Sequence, residues 1–195
     1  MIEFLEEIDR SIVLTINSWN SPFMDELMWW ISARITWIPL YVILLYLAYN
    51  TLTRNQLFLF LGLIGLTIAL TDLTSVHLFK NVFLRYRPSH NLLLTEKLHY
   101  YLIKPGEYYK GGDYGFVSSH AANIFAIITF SYLVLRKGYP KLIFPLLFIG
   151  MLIAYSRIYL GVHYLSDVFV GGLVGSVIAF LVYRFIYLRY SEKVK

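Results

Sequence analysis

At 195 residues the sequence is long enough for one compact domain, and it reads as a single membrane-embedded domain over residues 1–195. Hydrophobic residues make up 58% and charged residues 15%, against roughly 25% charged in an average soluble domain, which excludes an ordinary soluble fold. The absence of cysteine excludes disulfides and thiol chemistry, and the net charge of +5 raises nucleic acid as a partner, to be tested by where the charges fall.

Residues 1–20 do not form a cleavable signal. Glu3, Glu6, Glu7 and Asp9 stand where a signal peptide carries positive charge, and no small-residue cleavage site follows. Leu5, Ile8, Ile12 and Ile16 fall near helical spacing, with Trp19 at the end, which predicts an amphipathic helix lying on the membrane surface. A sixth, imperfect span is the alternative. Five apolar stretches follow: Ile31 to Tyr49, Gln56 to Val76, Ala121 to Leu135, Leu142 to Tyr155 and Leu165 to Tyr187. Each approaches the ~20 residues that a ~30 Å hydrocarbon core requires, the third and fourth by borrowing turns from their flanks. The predicted fold is therefore all-α, a polytopic membrane helix bundle of about five spans plus the N-terminal interfacial helix.

Trp29, Trp30 and Trp37 suit interfacial anchors, and Gly171, Gly172 and Gly175 suit a face where a neighbouring helix packs closely. Arg54, the Arg136-Lys137-Lys141 group, and Arg184, Arg189, Lys193 and Lys195 fall beside alternate ends of the spans, with Glu192 the one acid among them. Such a distribution points to a bilayer and not to nucleic acid. By the positive-inside rule these ends and the C-terminus are cytoplasmic, and the loops holding residues 80–120 and 157–163 face the periplasm or exterior.

Three polar clusters stand at those outer ends. Lys80 and Arg87 are seven residues apart, two helical turns, before Pro88 turns the chain out of the span. They form either an anion site or a pair of snorkelling cations. The long segment Ser89 to Val117, with Gly106, Gly111, Gly112 and Gly115 near its end, is a surface cap or the wall of a headgroup site. Ser118-Ser119-His120 then offers a hydroxyl, helix-start N–H groups suited to phosphate, and a proton donor; its plain alternative is an N-cap serine beside an interfacial histidine. In Ser156 to Asp167, His163 and Asp167 are four apart and share a helix face. A carboxylate there fixes the imidazole tautomer and leaves the other nitrogen as base or nucleophile, while Arg157 supplies a planar cation for phosphate oxygens. Gly161 is placed to turn the chain between the last two spans. Asp72 must face protein or water at membrane depth, either pairing with a cation such as Arg34 or bracing the site. Arg85 touches either a second substrate phosphate or lipid headgroups. His77, His90 and His99 suit structural or exposed positions.

These residues resemble the phosphatidic acid phosphatase type 2 and vanadium haloperoxidase superfamily, whose motifs read K-x6-R-P, P-S-G-H and S-R-x5-H-x3-D. The first and third match at every defined position, through Lys80, Arg87-Pro88, Ser156-Arg157, His163 and Asp167. The second departs twice, with Val117 for proline and Ser119 for glycine, though a serine keeps the backbone N–H that the glycine offers. The resemblance implies that His163 is the nucleophile of a phosphohistidine intermediate, oriented by Asp167. It makes His120 the acid that protonates the leaving oxygen and then the base that activates water. Lys80, Arg87, Ser118, Ser119 and Arg157 would hold the phosphate, so that neither a metal nor another cofactor is implied.

Size and resemblance together imply a bacterial lipid phosphate phosphatase in the cytoplasmic membrane. Undecaprenyl diphosphate is the first substrate they suggest, with lipid A and phosphatidylglycerophosphate as alternatives. A non-catalytic transporter or lipid binder would need the cations but not His163, Asp167 and His120. A haloperoxidase is disfavoured because those relatives are soluble.

Overall fold

The computed structural model describes residues 2–193, so Lys195 of the C-terminal basic group lies outside the described residues. Seven helices carry the fold: α1 (Ile2–Asn17), α2 (Pro22–Ser32), α3 (Ile38–Thr51), α4 (Arg54–Phe83), α5 (Ser119–Leu135), α6 (Pro140–Tyr159) and α7 (Leu165–Ser191). A short antiparallel hairpin, β1 (Leu102–Lys104) and β2 (Glu107–Tyr108), interrupts the connection between α4 and α5. The all-α architecture is as expected, but the number of spans is not. Among the described residues α4, α6 and α7 are long and apolar enough to cross a membrane. A fourth span exists only if α2 and the Arg34–Thr51 segment, bent by 66°, are taken together. Three to four spans thus replace the five or six expected.

Each discrepancy has a physical cause. The stretch Ile31 to Tyr49 is broken because Pro39 has no N–H to give the Ile35 carbonyl, so a helix cannot run through it and starts afresh with proline in its first turn. Carbonyls freed by the break find side chains: Thr36 Oγ1 donates to Trp30 O at 2.6 Å, and Trp37 Nε1 to Ile31 O at 2.8 Å. Helix α5 has 17 residues, about 25 Å at 1.5 Å per residue, short of a ~30 Å core. None of its residues is fully exposed, because α4, α6 and α7 pack against it. Helix α1 has 16 residues and is likewise too short to span. Its buried positions are Asp9, Val13 and Asn17, whereas Phe4, Leu5 and Ile8 are exposed. Phe4, Leu5 and Ile8 thus face away from the protein while Asp9, Val13 and Asn17 face in, with Ile12 and Ile16 partly buried against the core.

The packing of α5 against α7 sets the geometry of the site. A Cβ at Gly171 would lie 2.7 Å from the Ser118 carbonyl oxygen, and one at Gly175 would overlap the Ala122 carbonyl. Glycine at these positions allows backbone to meet backbone, as the small-residue face predicts. Elsewhere α4 and α7 turn Phe58, Leu66, Leu70, Phe169, Leu173 and Val177 outward, an uncovered apolar surface suited to lipid. The ends of α4 and α6 and the starts of α5 and α7 share one end of the bundle, while Arg54, Arg136, Lys141 and Arg189 mark the other.

Candidate active site

The turn from α6 to α7 places the central pair. Gly161 adopts φ +66°, a left-handed conformation that favours glycine, and so makes the turn its position suggests. His163 and Asp167 follow, 1% and 0% exposed. Asp167 Oδ2 accepts from the Tyr164 N–H at 3.0 Å and lies 3.3 Å from His163 Nδ1. The other ring nitrogen, Nε2, is 3.0 Å from Arg87 Nη1. A guanidinium can only donate, so Nε2 is the acceptor and the ring proton sits on Nδ1, facing the carboxylate. Two partners therefore fix the tautomer and leave the lone pair on Nε2. Burial, and then the charges of Arg87, Arg157 and Lys80, hold the His163 pKa well below its ordinary range, so the ring is neutral.

Lys80 and Arg87 do converge, but not by sharing a helix face. Helix α4 ends at Phe83, Leu84 is left-handed at φ +49°, and Arg87 is extended. The loop then holds Arg87: its N–H donates to Asp113 O at 3.0 Å, and its Nη1 also donates to Val162 O at 3.1 Å. Gly111 and Gly115 pass so close that a Cβ would come within 3.2 Å of Arg87 Nη1 and 3.0 Å of Arg87 Cγ, respectively. The long segment after Pro88 is thus a wall of the site.

Lys80 Nζ donates to Ser119 Oγ at 2.7 Å. Ser118 caps α5, its Oγ accepting from Ala121 N at 3.4 Å. Its own N–H is taken by Asp167 O at 3.0 Å and is not available to a ligand. Among the described residues nothing accepts from the Ser119 and His120 N–H groups, which keep the anion-binding character of a helix start. Arg157, 2% exposed, donates through Nη1 to Ser32 Oγ and through Nη2 to Tyr109 OH at 2.9 Å. The Nε atoms of Arg87 and Arg157 are buried and have no partner. Burial first, and the Arg157 charge second, hold Arg87 below the ordinary guanidinium range.

Arg85, expected at a second substrate phosphate or at lipid headgroups, instead donates to Asp167 Oδ1 at 2.9 Å, to Ser166 Oγ at 2.7 Å and to Asp9 Oδ2 at 2.8 Å. Several other participants give no signal in the sequence. Asp9 on α1 also accepts from the Ser166 N–H at 3.0 Å, so the N-terminal helix is tied to the back of the His163–Asp167 pair. Asn17 extends that tie, donating to both His99 O and Tyr159 O at 2.8 Å. Ser32 and Tyr109 hold Arg157 from elements with no motif. Asp72 forms no ion pair with Arg34 among the described residues; its Oδ1 accepts from Asn123 Nδ2 at 3.3 Å.

The His120 imidazole has no hydrogen-bond partner among the described residues and lines a cavity of about 480 Å³. Ser32, Arg34 and Asn123 also line it, and Ile124 and Ile127 continue its wall down α5. Ser32 links this cavity to Arg157 and so to the cationic group. Among the described residues no three His, Asp or Glu side chains are grouped to hold a metal ion.

The arrangement can be compared with known proteins. Two relatives are named lipid A 4'-phosphatase. The one from Porphyromonas gingivalis is 34% identical over 191 residues, 96% of this chain and 77% of its own. The one from Bacteroides thetaiotaomicron is 33% identical over 183 residues, 94% of this chain and 79% of its own. An undecaprenyl-diphosphatase from Sulfolobus acidocaldarius is 34% identical over 122 residues, 60% of this chain and 53% of its own. The fold resembles that of a transmembrane PAP2-type phosphatidylglycerolphosphate phosphatase from Bacillus subtilis, with a TM-score of 0.64, 23% identity and coverage of 98% of this chain and 88% of the other. Residues 56–191 match the PAP2 superfamily, a span that contains all three polar clusters, and the chain accordingly belongs to that superfamily as a membrane-associated phosphatase.

Proposed function

We propose that the protein hydrolyses a lipid phosphate ester through a phosphohistidine on His163. The observation that carries this reading is the pair of buried guanidinium groups, Arg87 and Arg157, each with an unpartnered Nε, beside a neutral imidazole whose lone pair is on Nε2. A phosphate dianion supplies the charge and acceptors that these groups lack. On binding it draws the Arg87 donor away from Nε2, which then faces phosphorus. Burial and then the Arg157 charge hold the His120 pKa down to about 2, so its ring takes up a proton together with the phosphate dianion, whose charge offsets those cations. Nε2 then forms a bond to phosphorus as the ester P–O bond breaks, and His120 gives that proton to the departing oxygen. In the second step His120 takes a proton from water, whose oxygen displaces His163 and releases inorganic phosphate. Asp167 stabilises the Nδ1 proton throughout. Lys80, Arg87, Arg157, Ser119 and the free N–H groups at the start of α5 hold the phosphoryl oxygens, and Ser118 shapes that helix start.

Lipid A is the substrate best supported. Both relatives that align with more than nine-tenths of the chain carry its name, whereas the undecaprenyl-diphosphatase aligns with 60%. Similarity thus favours lipid A over undecaprenyl diphosphate, the first substrate suggested by the motifs. Phosphate release from lipid A, undecaprenyl diphosphate and phosphatidylglycerophosphate should be fastest for lipid A, unchanged by a chelator and blocked by vanadate. A rate that falls on chelation and returns with magnesium would overturn the division of labour, since the guanidinium groups would not then suffice.

The basic end of the bundle supports an orientation with the site outside and the C-terminus in the cytoplasm. A cysteine replacing Leu92, 89% exposed in the segment after Pro88, should react with an impermeant thiol reagent on intact spheroplasts, and one replacing the exposed Lys193 should not. Reaction at 193 alone would reverse the topology.

A further inference from the structure

The cavity beside His120 is lined by a polar residue that the reaction above does not use. Asn123 lies three residues after His120 on α5, so the two share a face, and both line the cavity. Asn123 Nδ2 donates to Asp72 Oδ1 at 3.3 Å. A carboxylate only accepts, so the amide must turn its NH₂ toward Asp72. Its oxygen, Oδ1, is then left buried with no donor. Buried carbonyl oxygens are rarely left so, because the loss of water is not made good. An ionisable residue at this depth of a membrane helix is itself costly, and here it fixes the polarity of a neighbour.

We propose that Asn123 Oδ1 accepts a hydrogen bond from a hydroxyl or amide N–H of the leaving group, next to the scissile ester, with Asp72 as the residue that positions it. The inference rests on the assignment of His120 as the acid that protonates the leaving oxygen. One helical turn along α5 from that oxygen, the leaving group meets Asn123, and beyond it the apolar side chains of Ile124 and Ile127. The order is ester oxygen, hydrogen-bond donor, hydrocarbon. An acylated sugar or a glycerol lipid has that order. A fully ionised diphosphate does not, because its leaving phosphate brings acceptors to an acceptor. Asn123 therefore selects polyhydroxylated leaving groups against plain alkyl phosphates and diphosphates.

The test compares kcat/KM of the full-length protein for three substrates with the same chain: dodecyl phosphate, 1-dodecylglycerol 3-phosphate, whose free hydroxyl neighbours the ester, and dodecyl diphosphate. The unaltered protein should favour the hydroxylated monoester over dodecyl phosphate roughly ten- to a hundredfold. In N123L that ratio should fall toward one. In D72N it should also fall, since an amide at 72 can donate as well as accept and no longer dictates how Asn123 is turned. Equal rates for the two monoesters in the unaltered protein would overturn the proposal even if a variant failed to fold. So would variants that slow every substrate by the same factor, or a preference for the diphosphate that R34A abolishes, because the cavity would then be reading an anion. A hydroxyl preference without turnover of lipid A supports this inference while removing the lipid A reading, so the two fail separately.

Discussion

His163→Ala protein is expected to release no phosphate and to form no acid-labile phosphoenzyme, a loss on the order of 10⁴-fold or more. No other group occupies its position between Arg87 and Asp167. His120→Ala should lose less, about 10²–10⁴-fold, because it removes a proton donor and not the nucleophile. Its deficit should shrink for p-nitrophenyl phosphate, whose leaving oxygen departs without a proton. Single-turnover kinetics with acid trapping separate the two. A His163→Ala protein that still traps phosphate would move the nucleophile elsewhere, with His120 the next candidate. The pH dependence has a definite sign. The His163 pKa is lowered by burial and by the surrounding cations, so the folded protein refuses a proton that the unfolded chain accepts below about 6.5. Stability therefore falls as pH drops through that value. The nucleophile stays unprotonated there, so its own titration should limit kcat/KM only at markedly lower pH.

Arg85→Leu should be among the most destabilising single changes outside the apolar core. The residue bridges Asp167, with a side chain 0% exposed, and Asp9, with a side chain 8% exposed. Removing one member of a buried ion pair typically costs ~3–5 kcal/mol, because the other charge stays buried without its partner. Arg85 is itself 23% exposed, which places the expected loss near the lower end, about 3 kcal/mol. Turnover should fall as well, since Asp167 loses the donor on Oδ1 while still having to orient His163. Asp9→Asn keeps hydrogen bonding to Arg85 and Ser166 and should cost less. Thermal unfolding in detergent of both single variants and the double variant tests the network. Additive losses would mean that Asp9 and Arg85 act independently and that α1 does not brace the site.

Lys80, Arg87, Ser118, His120, Arg157, His163 and Asp167 were legible because charged and hydrogen-bonding groups are costly at the edge of an apolar span and so stand out there. Their motif order carried the family as well. Asp9, Ser32, Asn17 and Tyr109 were not legible. They lie on α1, on α2 and just past β2, away from the motifs, and nothing in local spacing links position 9 to 85 or 32 to 157. The helix of residues 1–20 was readable as a helix, but its inward face was not, since a stripe of Asp9, Val13 and Asn17 is recognisable only once Arg85 and His99 are known to meet it. Pro39 did mark the break in the first apolar stretch, which length and hydrophobicity alone conceal. The shortness of α5 was visible too; that α4, α6 and α7 would together leave none of its residues fully exposed was not.

That packing has a consequence for how the enzyme responds to its surroundings. Bilayers differ in thickness, and helices in contact with lipid adjust to them by tilting. Helix α5 has no fully exposed residue and meets α7 through main chain at Gly171 and Gly175, and Ser118 N–H bonds directly to Asp167 O. The spacing between the start of α5, with His120, and the start of α7, with Asp167, is therefore set by peptide groups in contact and not by the lipid. The lipid-facing surfaces of α4 and α7 can adjust to the host membrane while the starts of α5 and α7 keep their separation.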